Sequence, residues 1–218
     1  YHMDILPCVA DSRFNANMEL CRNKSFSSVT LDDIAIRITD NKEPDYNSST
    51  CIYDWLKSNP DGYAMWFAER CKYIGEKRET ITESIMPIGK YVKDKTVLQR
   101  IVQILKRHRD IMFNDDEDKP ISIIITTLAA RAYKGETSLL SGLINVISTL
   151  ENHITKDYEG NYVITNPANP EENFADKWPS HPKRKENFFK WLRQVKADVN
   201  SIISAKGIQL RENVGRSF

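Results

Sequence analysis

Tyr1-His2-Met3-Asp4-Ile5-Leu6-Pro7 opens the chain. Its tyrosine, isoleucine and leucine suit a pleated, half-buried surface, and Pro7, which cannot donate to a sheet ladder, closes the segment, so it reads as a β-strand. Asp4 is the one carboxylate on it. An acid in that position is either an exposed edge residue or a member of a metal-binding set. A catalytic Mg²⁺ pair takes several oxygen ligands, so Asp4 would need companions. No loop, helix cap or methionine start stands before Tyr1. The expectation is a strand entered in mid-fold, in the C-terminal part of a larger metal-dependent enzyme whose first catalytic residues lie upstream.

Away from this strand the hydrophobic period changes. Ile34, Ile36 and Ile38 alternate with Ala35 and Arg37, the period-two pattern of a half-buried strand. The polar stretch from Asp11 to Ser28 reads as a loop. Turn formers crowd residues 40–62, at Asp40-Asn41, Glu43-Pro44, Asn47-Ser48-Ser49 and Asn59-Pro60-Asp61-Gly62. Helical patterns then take over. One helix is predicted from about Pro60–Tyr63 through Met65-Trp66-Phe67 to Cys71. A second spans Thr96–Phe113, with Val97, Leu98, Ile101, Val102, Ile104, Leu105, His108 and Met112 in one stripe. A third starts at Pro120, since a first helical position needs no N–H, and runs through Ile123-Ile124-Ile125 to Tyr133, stopped by Gly135. It is apolar nearly all round and is expected to be central. A fourth covers Ser138–Ile154. A last runs from Lys183 to Ala205, with Phe188, Phe189, Trp191, Leu192, Val195, Val199, Ile202 and Ile203 inward. The expected fold class is α+β, with a boundary near residue 60.

The 218 residues are 40% hydrophobic and 28% charged with a net charge of +1, which suits a globular domain and gives no strong nucleic-acid signal. No apolar run approaches the ~20 residues that span a bilayer, so no membrane role is expected. Cys8, Cys21, Cys51 and Cys71 lie far apart without a CxxC pair, and free buried thiols in a cytoplasmic protein are the expectation. Trp55, Trp66, Trp178 and Trp191 read as core.

Three further groups bear on chemistry. Lys106 stands at the border of the second helix's stripe, where its stem can lie on the core and its ammonium project into a cleft. Ser122 falls in the first turn of the third helix, where a hydroxyl and unpaired N–H groups suit phosphate oxygens. Together they make either a triphosphate cradle or an ordinary surface lysine and capping serine. Asp115-Asp116-Glu117-Asp118 reads as a solvated loop ahead of a helix, or a cation site. Arg107, Arg109, Lys183, Arg184 and Lys185 read as a solvated face, or as groups that attract phosphate. Asn166 through Asn173 is dense in turn formers and reads as a structured turn whose side chains could also reach a nucleotide.

Several segments, taken in order, resemble one family. They are His2 to Pro7, Trp55-Leu56-Lys57-Ser58-Asn59-Pro60-Asp61-Gly62-Tyr63 with Trp66-Phe67, Ile104 to Asp110, Lys119-Pro120-Ile121-Ser122, and Asn166-Pro167 through Trp178. The chain resembles the C-terminal portion of bacterial CD-NTases, the cGAS/DncV-like nucleotidyltransferases of anti-phage CBASS systems, and is more distantly similar to oligoadenylate synthases. The resemblance implies trailing strands of a polymerase-β-like nucleotidyltransferase core over residues 1–60. It implies a helical bundle domain, closing the nucleotide cleft, over 61–218. In the family a Gly-Ser motif and an Asp-x-Asp pair precede a third acid. Asp4 matches that third acid, as catalytic residue and metal ligand, and the earlier motifs have no counterpart here. Lys106 and Ser122 match phosphate-binding positions. Ile123 stands where some relatives stack on the donor base, and it offers only apolar contact.

The implied activity is Mg²⁺- or Mn²⁺-dependent synthesis of cyclic or linear oligonucleotide second messengers from NTPs, with regulatory or effector proteins of the same operon as partners. A chain with one acid of three is expected to be inactive alone. A nucleotide-binding sensor, or a helical protein-interaction module without catalysis, are the alternatives.

Overall fold

The computed structural model describes residues 8–10, 35–40, 44, 46–49, 51–72 and 95–204. The strand expected at Tyr1–Pro7, Asp4 with it, the polar stretch Asp11–Ser28 and the tail after Gly207 lie outside the described residues. Strands come early and long helices late, in a mixed α+β arrangement. The chain divides into two compact units.

The first unit takes the described residues up to Phe67 together with Pro167–Glu171. Strands β1 (Cys8–Ala10), β2 (Ile36–Ile38) and β3 (Leu56–Ser58) form an antiparallel sheet in that order. Val9 pairs with Arg37, and Arg37 with Lys57. All three β2 residues are half-buried, without the in-and-out alternation that the isoleucines suggest, and Ala35 before them is fully buried. Arg37 donates from Nη1 to the Trp55 carbonyl at 3.0 Å. Cys8 and Cys51 are exposed and Cys71 is half-buried, which corrects the expectation of buried thiols. The reason is position: Cys8 lies on the outer strand of this small sheet, and Cys51 in the turn before a short 3₁₀ segment.

Helix α1 (Pro60–Cys71) starts in this unit. Asn59 caps it, its Oδ1 accepting the Gly62 N–H at 2.9 Å. A Cβ on Gly62 would stand 2.5 Å from that oxygen, so glycine is needed for the cap to close. Asn59 Nδ2 donates to the Ala168 carbonyl at 3.0 Å, and Asn169 Nδ2 to the Lys57 carbonyl at 3.1 Å. Asparagines thus pin Pro167–Glu171 beside the start of α1.

The second unit takes the described residues from Ala68 to Asn166 and from Glu172 onward. Its helices are α2 (Val97–Phe113), α3 (Ser122–Ala132), α4 (Leu139–Thr149) and α5 (Pro182–Ser204). Thr96 and Gln99 close a capping box on α2, each side chain bonding the other's backbone N–H. Helix α3 is buried from Ile124 to Ala130, as its all-round apolar sequence demands. Leu98, Ile101 and Leu105 of α2, Ile125 and Leu128 of α3, Val146 of α4, and Phe188, Trp191 and Val195 of α5 build the core. Arg70 donates from Nε to the Ala130 carbonyl at 2.8 Å and from Nη2 to that of Tyr133, serving the orphan acceptors at the α3 C-terminus.

Four sequence expectations need correction here. Helix α3 starts at Ser122, with Ile121 at its N-cap, rather than at Pro120. The Asp115–Asp118 turn is not simply solvated. Asp116 and Asp118 face α5 while Asp115 and Glu117 are exposed, with Lys183 Nζ 3.3 Å from Asp118 Oδ2 and Arg184 Nε 3.4 Å from Asp118 Oδ1. Asn187 Nδ2 also donates to the Asp118 carbonyl at 3.1 Å. Arg184 is half-buried against this turn, whereas Lys183 pairs with it and stays solvated, its side chain 62% exposed. Finally, the Asn166–Asn173 stretch runs through two short strands, β6 (Thr165–Asn166) and β7 (Asn169–Asn173). Just before it, β4 (Thr155–Lys156) and β5 (Tyr162–Val163) form a hairpin that lacks a strong strand signal in the sequence.

Candidate functional site

Lys106 lies on helix α2, and Arg109 of the same helix bonds Ser122 at the start of α3. Lys106 is half-buried on α2. Burial lowers its pKa, the neighbouring Arg109 cation lowers it further, and Asp110 opposes both. A lysine held this way gains from any anion that restores the charge balance.

Ser122 is the first residue of α3 and is exposed, and Ile123 beside it is half-buried. The N-cap residue Ile121 has no side-chain acceptor, so it caps none of the first-turn N–H groups. The first i to i−4 bond, from Ile125 N–H to the Ile121 carbonyl, is long at 3.5 Å. The N–H groups of Ser122, Ile123 and Ile124 precede that bond and have no acceptor within the helix.

Arg109 joins these groups, and the sequence reading placed it wrongly. It is 7% exposed rather than solvated. Its Nη1 donates to the Pro120 carbonyl and to Ser122 Oγ, each at 2.9 Å. Its Nε donates to Asp110 Oδ1 at 2.9 Å, and Nη2 stands 2.7 Å from the same oxygen. The α2 stripe could have signalled this, because position 109 follows Leu105 by the four-residue step that also joins Leu98 to Val102. The arginine's charge masked the pattern.

The remaining candidates are placed as follows. Asp4 lies outside the described residues. Among the described residues no group of three or more His, Cys, Asp or Glu side chains can hold a metal ion. The sequence contains one Asp-x-Asp string, Asp116-Glu117-Asp118, and it follows Asp4 rather than preceding it. The Asp116 carboxylate accepts the Asp118 N–H at 2.9 Å, which with Lys183 and Asn187 holds its pKa below the usual carboxylate value. That string works as a helix clamp. His108 is buried, with Nε2 2.9 Å from Asp198 Oδ2, and ties α2 to α5 rather than facing a ligand. The asparagines of the Asn166–Asn173 stretch bond within the protein: Asn166 Nδ2 donates to Glu172 Oε2 at 2.7 Å, and Asn173 Oδ1 accepts the Ile164 and Ala175 N–H groups at 2.8 and 3.0 Å. Among the described residues no helix is long and apolar enough to cross a membrane.

No family model matches the sequence. The chain is 35% identical over 159 residues to a c-di-GMP synthase of Roseivirga ehrenbergii, an alignment that covers 71% of this chain and 42% of that protein. The chain therefore spans less than half the length of this curated relative. Its fold is similar to that of the Bradyrhizobium diazoefficiens CD-NTase CdnG, solved in complex with GTP. The TM-score is 0.52 at 18% identity, over 75% of this chain and 55% of the other.

Proposed function

We propose that the chain is a member of the bacterial CD-NTase family and forms part of a nucleotidyltransferase that makes cyclic or linear oligonucleotide second messengers from NTPs in anti-phage defence. The observation that carries the proposal is the 35% identity to a c-di-GMP synthase over 159 residues. In this reading residues 1–60 continue a polymerase-β-like core and residues 61–218 form its helical domain. The reaction joins a ribose hydroxyl oxygen to the α-phosphorus of an NTP, and pyrophosphate leaves while the hydroxyl proton is lost.

Lys106 and Ser122 hold the donor triphosphate. The Lys106 ammonium offsets its negative charge, while the Ser122 hydroxyl and the uncapped N–H groups of α3 donate to its oxygens. Ile123 gives the base an apolar contact. Asp4 is the third acid of a Mg²⁺ (or Mn²⁺) set, and the metal, when bound, supplies charge stabilisation to the attacking and leaving oxygens. Two further acids are needed to complete that set. Regulatory or effector proteins of the same operon are proposed partners, and the cytoplasm the proposed location.

The test uses the full-length protein, each labelled NTP alone and in pairs, with Mg²⁺ or Mn²⁺, and product identification by mass. Cyclic di- or trinucleotides or linear oligomers, with stoichiometric pyrophosphate, are expected. Nucleotide binding with no product under any combination would turn the reading to a sensor.

A second expectation concerns Lys106. A bound triphosphate favours its protonated form, so affinity is flat at low pH and weakens as pH rises through the free-state pKa. That pKa lies below the ordinary 10.5. Lys106→Ala should raise KM about tenfold or more, the worth of one hydrogen bond to a charged group, and remove this pH dependence. Unchanged KM and kcat in the variant would reject the role.

A further inference from the structure

We infer that Arg109 is a positioning residue that aims the Ser122 hydroxyl proton outward at a phosphate oxygen. The inference rests on the proposed role of Ser122 in holding a triphosphate. Three features of the geometry lead to it.

The first is the direction of the hydrogen bond. A serine hydroxyl has one proton to give and two lone pairs to fill. Arg109 Nη1 donates to Ser122 Oγ at 2.9 Å, so one lone pair is occupied by a cationic donor and the proton turns away from the guanidinium. Ser122 is exposed, and away from Arg109 means toward whatever ligand lies before α3. A charge-assisted bond accepted by the oxygen also polarises the O–H and makes it the better donor.

The second feature is that one nitrogen serves two oxygens. Nη1 gives one hydrogen to Ser122 Oγ and the other to the Pro120 carbonyl, each at 2.9 Å. Both of its hydrogens are thereby committed, and the nitrogen is held in place behind the serine.

The third is that the guanidinium is itself held. Asp110 Oδ1 lies 2.9 Å from Nε and 2.7 Å from Nη2, which fixes the plane of the fork. Arg109 is 7% exposed, in keeping with a strut behind the serine. Lysine cannot replace it, because a point ammonium lacks the planar fork that meets Asp110, Pro120 and Ser122 together.

The test is a double-mutant cycle read as binding affinity. Full-length protein is titrated with α,β-methylene analogues of the four NTPs and Mg²⁺, and the tightest binder is followed. Arg109→Lys should weaken it about five- to tenfold, the worth of one well-aimed hydrogen bond, and have almost no effect in a Ser122→Ala background. Asp110→Asn loosens the hold on the guanidinium and also removes a carboxylate that acts on Lys106. The part of its effect that disappears in a Ser122→Ala background reports on the serine, and a nonzero coupling there decides the matter if Arg109→Lys does not fold. Ser122→Thr, which keeps a hydroxyl, should retain the dependence on Arg109.

Additive losses from Arg109→Lys and Ser122→Ala would mean direct contact and overturn the inference. A lowered Tm with unchanged affinity in the Arg109 and Asp110 variants would mean a merely structural arginine and overturn it too. If Ser122→Ala itself leaves affinity unchanged, the phosphate-binding role of Ser122 fails and the inference with it. If Ser122→Ala weakens binding while the other variants are additive or silent, the inference alone fails.

Discussion

Asp4→Asn in the full-length protein is expected to cut product formation by about a thousandfold or more while leaving the fold intact. Charge stabilisation by a bound metal is worth several kcal/mol in a transition state, and each ~1.4 kcal/mol is tenfold in rate. Asparagine has nearly the shape of aspartate but carries no charge, so the loss falls on metal affinity rather than packing. The same reasoning applies to the 218-residue chain by itself. On the roles proposed for Asp4, Lys106 and Ser122, it should release no pyrophosphate from any NTP and should still bind nucleotide. The measurement is product mass and pyrophosphate release across a Mg²⁺ titration, with circular dichroism as the check on folding. Turnover within tenfold of the unmodified protein would remove Asp4 from the metal set, and turnover by the isolated chain would show that a different set of acids works here.

The largest effect on stability should come from Trp191→Ala, at about 3–5 kcal/mol. Trp191 is 0% exposed on α5, with its ring centroid 5.8 Å from that of Phe188. Phe188 in turn meets Trp178 at 5.3 Å and Phe189 at 5.4 Å. Truncation therefore opens a cavity at one end of a chain of rings. Since whole domains are stable by only about 5–15 kcal/mol, such a loss is a large share of the total. The indole Nε1 is buried with no hydrogen-bond partner among the described residues. Its removal forfeits packing and no bond, so Trp191→Phe should cost well under half as much. Urea titrations of the three proteins, at constant slope, give the comparison. A cost below about 1 kcal/mol for the alanine variant would mean that the site collapses around the gap.

Local periodicity made the helices legible. The apolar steps through Leu98, Ile101, Val102 and Leu105 mark α2, and the apolar run from Ile123 to Ala130, broken only by Thr126 and Thr127, marks α3 as a central element. Both signals repeat within one or two turns, so they survive without knowledge of the partners. Lys106 and Ser122 were legible as candidates for the same reason, one bordering a stripe and the other at a helix start.

What escaped the sequence reading involves partners far along the chain. Lys183 and Arg184 bond to Asp118, more than sixty residues earlier, and nothing near either end announces the match. Asn59 and Asn169 serve carbonyls 109 and 112 residues away, though both look like ordinary turn formers. Arg109 fell on the apolar stripe and was set aside because it is charged, yet burial is affordable where carbonyl, hydroxyl and carboxylate oxygens surround its donors. By itself the sequence determined which segments are helical, which faces are apolar and which family the chain resembles, because these depend on neighbours three or four positions away or on motif order. Only the tertiary structure decided where α3 begins, which charges are committed to the protein and which oxygen Arg109 serves, because each of those depends on groups that meet only after the chain has folded.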